Sequence, residues 1–90
     1  MTYEEARAHV LAAIDLNTPI LNDPRIAHQL ADAANDVAFA DLDLDSLTSM
    51  EICLTIEDRT GLLIEPGDLV ACTGINGLAA LMAGRARSAA

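Results

Sequence analysis

Three separate stretches of the chain repeat apolar residues at every third or fourth position, with prolines and glycines interrupting between them. Tyr3, Ala6, Val10 and Ala13 form the first set, Ile52, Cys53 and Ile56 the second, and Ile75, Leu78, Ala79 and Met82 the third. Such spacing gathers each set on one side of a helix and predicts main helices over residues 3–16, 46–60 and 74–85. Helices with one apolar side must bury it against each other, so the expected fold class is all-α, a small antiparallel bundle. Composition agrees. Of 90 residues 52% are apolar but only 2% aromatic, Tyr3 and Phe39, and there is no Trp. The core must be built from Ala, Leu, Ile, Val and Met, a mix that favours helix on helix.

The punctuation fills in the rest. Thr2 suits an N-cap, and Glu4 and Glu5 suit the positive end of the helix dipole. The first pattern stops near Asn17-Thr18-Pro19, and a long connection runs to residue 45. A connection of that length without structure is uncommon in a compact domain. Asp23-Pro24 is a helix-start pair, and Ile26, Leu30, Ala33 and Ala34 share a face, which predicts an extra short helix over 24–34. Phe39, Leu42 and Leu44 are expected to pin the remaining loop to the core. The start of the second main helix is open: Asp45 or Ser46 fits the cap, and Thr48 with Glu51 has the spacing of a capping box. Gly61 ends that helix, and Leu62-Leu63-Ile64 should tuck inward. Pro66 opens a short helix over 66–72, Thr73 fits the cap of the last helix, and the tail from Arg85 reads as frayed. No repeat, linker or low-complexity tract divides the chain, so residues 1–90 read as one domain.

Charge narrows the function. Fourteen carboxylates face five arginines, for a net charge of -9. Such a surface repels nucleic acid and anionic lipid and attracts proteins with basic patches. Cys53 and Cys72 lie in apolar stretches and read as core residues. The polar, acidic start after Met1 does not resemble a signal peptide, and no apolar run reaches the ~18 residues a membrane span requires. The expectation is a soluble, cytoplasmic monomer. His9 and His28 fall in helical segments with no nucleophile motif, no phosphate loop and no Cys/His metal spacing beside them, which argues against an enzyme.

The most informative stretch is Asp41-Leu42-Asp43-Leu44-Asp45-Ser46-Leu47-Thr48-Ser49-Met50-Glu51. It resembles the acyl carrier protein family, whose motif is Asp-Ser-Leu at the start of the second helix with an acidic residue five positions after the Ser. Asp45-Ser46-Leu47 and Glu51 match. Glu57-Asp58 shortly before Gly61 resembles the end of that helix in the family, and Thr73-Gly74-Ile75 resembles the entry to its last helix. The likeness covers residues 39–84; residues 1–16 match only as an amphipathic helix. It implies that a phosphopantetheinyl transferase attaches 4'-phosphopantetheine from coenzyme A to Ser46, flanked by Asp45 and Leu47. Acyl groups then ride as thioesters on the arm's terminal thiol. It further implies partners of the acyltransferase, ligase or ketosynthase type with basic docking surfaces. Asp before the Ser fits acyl carriers of fatty acid or polyketide pathways, with a lean toward a discrete carrier of polyketide-type metabolism. A peptidyl or aminoacyl carrier of nonribosomal synthesis is the alternative. Two departures stand out. Asp43 occupies a position where the family usually has Gly, and the first connection is longer than usual.

At 100° per residue, Ile52, Cys53 and Ile56 fall on one side of the second main helix. Leu47, Leu54, Glu51 and Asp58 fall nearly opposite, with Met50 and Glu57 at the margin. An amphipathic helix normally has a single apolar stripe. One reading is a helix buried all round. The other is an exposed apolar patch of Leu47, Met50 and Leu54, rimmed by Glu51, Glu57 and Asp58, that docks partner enzymes. Residues 36–68 hold nine carboxylates against one Arg, which makes a solvated face and can also steer basic partners. Two rivals come from other classes. Asp41, Asp43 and Asp45 copy the first ligands of an EF-hand, but position 6 is Ser46 rather than Gly, and position 12 is Ile52 rather than Glu. An acidic adaptor domain that is never modified would share the same fold and charge.

Overall fold

The computed structural model describes residues 1–32, 35–72 and 74–89, the side chain of Ala89 excepted. The expected all-α bundle is what it shows. Helices α1 (Tyr3–Asn17), α2 (Pro24–Leu30), α3 (Ser46–Thr60), α4 (Pro66–Cys72) and α5 (Ile75–Ala89) follow in order, with 3₁₀ turns at Pro19–Asn22 and Phe39–Leu42. No strand occurs among the described residues; Ala38 and Gly74 form one isolated antiparallel bridge.

Each start has a chemical cause. Thr2 Oγ1 accepts from the Glu5 N–H at 3.1 Å while Glu5 Oε1 accepts from the Thr2 N–H at 3.1 Å, a complete capping box. Asp23 Oδ1 accepts from the Arg25 N–H at 2.9 Å, and Pro24 supplies the first-turn φ of α2. That helix ends at Leu30, short of the expected 34, with the Ala31 N–H shared between the Ala27 and His28 carbonyls. Ala33 and Ala34, expected on its face, lie outside the described residues. Gly61, at φ 74°, ends α3 in the left-handed region, with its N–H on the Glu57 carbonyl at 2.7 Å.

The core lies where α1, α3 and α5 meet. Ala6, Val10, Ala13 and Ile14 of α1, Ile52 and Ile56 of α3, and Ile75, Leu78, Ala79 and Met82 of α5 have no solvent exposure. Fully burying one such large aliphatic side chain is worth about 1.5–3 kcal/mol. Val37, Phe39 and Leu42 are buried and pin the first connection to this core; Leu44 packs half-buried against it.

Further along the chain Leu63, expected to tuck inward with Leu62 and Ile64, is 61% exposed. Thr73, read as the cap of the last helix, lies outside the described residues. Asp36, forty residues upstream, does cap that helix: its Oδ1 accepts from the Asn76 N–H at 2.9 Å and the Val37 N–H at 2.8 Å. Gly74 permits this approach, since a Cβ there would lie 2.7 Å from the Asp36 carboxyl carbon. Helix α5 also continues through Ala89 instead of fraying from Arg85. Arg85 is bound on both sides: to the Leu63 carbonyl at 3.0 Å and to both oxygens of Asp68.

Candidate functional site

The turn Asp43-Leu44-Asp45 delivers the chain into α3. Asp43 takes the left-handed conformation itself, at φ 52° and ψ 46°, and is the one described non-glycine residue with positive φ. Asp tolerates that region better than most residues. Two residues on, Asp45 is the N-cap: its Oδ1 accepts from the Thr48 N–H at 2.7 Å. The open question of the cap is thereby answered, and Thr48 lies inside the helix. The Thr48 N–H holds the Asp45 carboxyl below the usual carboxylate range, helped by the Thr48 hydroxyl and the Leu47 N–H. Asp45 is therefore charged at neutral pH.

Ser46 is the first residue of α3 and is exposed. Its hydroxyl sits at the positive end of a 15-residue helix, a place that favours a negatively charged group. Beside it opens a cleft of about 600 Å³, in the usual size range of small-molecule sites. Ala38, Phe39, Ala40 and Leu44 line one side, and Ser46, Ser49 and Met50 come from α3. Pro66, Leu69 and Val70 of α4 form the far wall, and Asp45 stands among the lining residues as its charged group. Sequence reasoning did not find this cleft. Its walls come from three segments that only the fold assembles.

The two sides of α3 differ as the second reading of the helix required. Ile52, Cys53 and Ile56 are buried. Leu47, Met50 and Leu54 are 64%, 51% and 57% exposed, which removes the reading of a helix buried all round. Glu51, Glu57 and Asp58 are exposed on the same helix and take no ion pair or side-chain hydrogen bond among the described residues. The structure thus places Ser46, Leu47, Met50, Glu51, Leu54, Glu57 and Asp58 in solvent on one element.

Other candidates separate from this site. Among the described residues, no group of three or more His, Cys, Asp or Glu is arranged to hold a metal ion, Asp41, Asp43 and Asp45 included. His9 accepts from Arg59 Nε at 3.3 Å, away from Ser46, and His28 is exposed on α2. Burial pushes the Cys53 thiol up to about 11, so it stays protonated; Cys72 is half-buried at the end of α4, its thiol also raised by burial. No described helix is long and apolar enough to cross a membrane.

The family described as the phosphopantetheine attachment site matches residues 25–82. The chain belongs to that family. No curated protein and no solved structure matches the chain. Members of the family hold 4'-phosphopantetheine covalently and carry cargo for other enzymes, and the group supplies a flexible arm ending in a thiol. The residues here fit it: attachment requires an exposed hydroxyl that a second protein can reach, and α3 presents one at its tip. The matched residues contain two serines, Ser46 and Ser49. Ser49 lies one turn into α3 and is half-buried.

Proposed function

We propose that Ser46 is the attachment residue and that the chain is an acyl carrier protein, presenting thioester-bound acyl intermediates to partner enzymes. The observation that carries this reading is the exposed Ser46 hydroxyl at the N-terminus of α3, set against a half-buried Ser49 within the family match. In the loading step the Ser46 oxygen bonds to the phosphorus that bears the pantetheine arm of coenzyme A. The pyrophosphate bond breaks, adenosine bisphosphate leaves, and the hydroxyl proton passes to a base of the transferase. Nothing in the carrier needs to activate the oxygen; its part is to present it.

Partner enzymes dock, on this reading, over Leu47, Met50 and Leu54, with Glu51, Glu57 and Asp58 as the charged rim. Exposed apolar side chains among unpaired carboxylates suit a partner with an apolar centre and basic edges. Asp45 before Ser46 fits a fatty-acid- or polyketide-type pathway in the cytoplasm, with acyltransferase, ligase or ketosynthase partners. Intact mass after incubation with coenzyme A and a broad-specificity phosphopantetheinyl transferase tests the assignment. One arm should be gained by the wild type and by Ser49→Ala, and none by Ser46→Ala, which should keep its helical circular dichroism. Loading of Ser46→Ala would move the site to another residue, and no loading of the wild type would leave an acidic adaptor.

A further inference from the structure

The far wall of the cleft is held from behind by a residue outside the matched stretch. Helix α4 has seven residues, too few to hold itself as a helix in water. Leu69 is its one buried side chain. Asp68, in its first turn, accepts from the Glu65 N–H through Oδ2 at 2.9 Å and so closes the helix start. The same carboxylate takes two bonds from Arg85 of α5, Nη1 to Oδ2 at 3.1 Å and Nη2 to Oδ1 at 3.2 Å. Nη1 also donates to the Leu63 carbonyl at 3.0 Å. One guanidinium therefore ties α5 to the segment entering α4 and to α4 itself. A two-pronged contact of this kind fixes orientation as well as distance. Pro66, Leu69 and Val70 of this short helix line the cleft beside Ser46.

We propose that Arg85 is a positioning residue for that cleft. Through Asp68 and the Leu63 carbonyl it latches α4 to α5, and the latch sets how far the α4 wall stands from α3. The side chains of Arg85 and Asp68 are 40% and 23% exposed, so solvent and salt reach the pair and the latch can open without unfolding the bundle. The value of the latch to a carrier rests on the Ser46 reading; its geometry does not.

Residue-resolved amide exchange and methyl spectra of the full chain test it, comparing wild type, Arg85→Ala and Arg85→Lys. In Arg85→Ala, amides of residues 66–72 should exchange at least about tenfold faster through local opening, while Val10, Ile52 and Ile56 keep wild-type rates. The Leu69 and Val70 methyl signals should shift. Lys, a single-point cation, should restore part of both effects. High salt should move the same wild-type signals in the same direction. If α4 exchanges no faster than in wild type, or if all helices accelerate together, the latch is overturned and the pair serves general stability alone. Should Arg85→Ala fail to fold, Asp68→Asn serves instead. It keeps an acceptor for the Glu65 N–H, and unchanged α4 exchange in it overturns the proposal. Loading of Ser46 is read separately by mass, so the two readings fail independently.

Discussion

On one side of α3, Ile52 and Ile56 have no exposure; on the other, Leu47 and Leu54 stand 64% and 57% exposed. The residue types are nearly the same. What differs is the neighbour. The inner side packs on α1 and belongs to one buried cluster with the core residues of α5, whereas the outer side has carboxylates around it and stands exposed to solvent. Apolar content by itself does not mark the core of a small bundle. The inner side holds the fold, and the outer side is left in solvent.

The largest effect expected of this contrast is in stability. Ile56→Ala should lower the unfolding free energy in urea by about 2–5 kcal/mol, since a buried aliphatic is removed and a cavity left. Leu54→Ala, two positions earlier in the same helix, should change it by less than about 0.5 kcal/mol. Comparable losses for the two would mean that the outer side is not free. Next comes recognition. Glu51→Arg reverses a charge on the outer side and should cut kcat/KM with the transferase about tenfold, or ~1.4 kcal/mol. The loss should shrink as salt rises, with urea stability unmoved. Should stability fall while turnover holds, Glu51 belongs to the fold and the docking assignment is wrong.

How much of this was readable in the chain follows from how local each cause is. The inner stripes of α1, α3 and α5, the Thr2 box and the Asp23-Pro24 start depend on residues within a turn of each other, and spacing reveals them. The Asp-Ser-Leu motif and the two apolar sides of α3 are equally local. The Asp36 cap of α5 joins residues 40 apart, and no spacing rule reaches that far. The Arg85 fork was hidden for a similar reason: an arginine near a chain end looks frayed until Asp68 and Leu63 are seen beneath it. The cleft is legible only in three dimensions, because loop, α3 and α4 each give it a few residues that are unremarkable alone.

The turn that feeds α3 carries a backbone constraint of its own. Asp43 stands at φ 52°, a conformation costing an ordinary L-residue roughly 1–2 kcal/mol and Asp somewhat less. Gly has no such steric cost but loses more freedom on folding. Asp43→Ala should therefore destabilise the protein by about 0.5–1 kcal/mol, and Asp43→Gly should stay within about 0.5 kcal/mol of wild type. Both should load at Ser46, because Asp45 still caps α3 and sets its first turn. Equal stability of the Ala and Gly variants would show that the left-handed turn does not constrain the entry to α3.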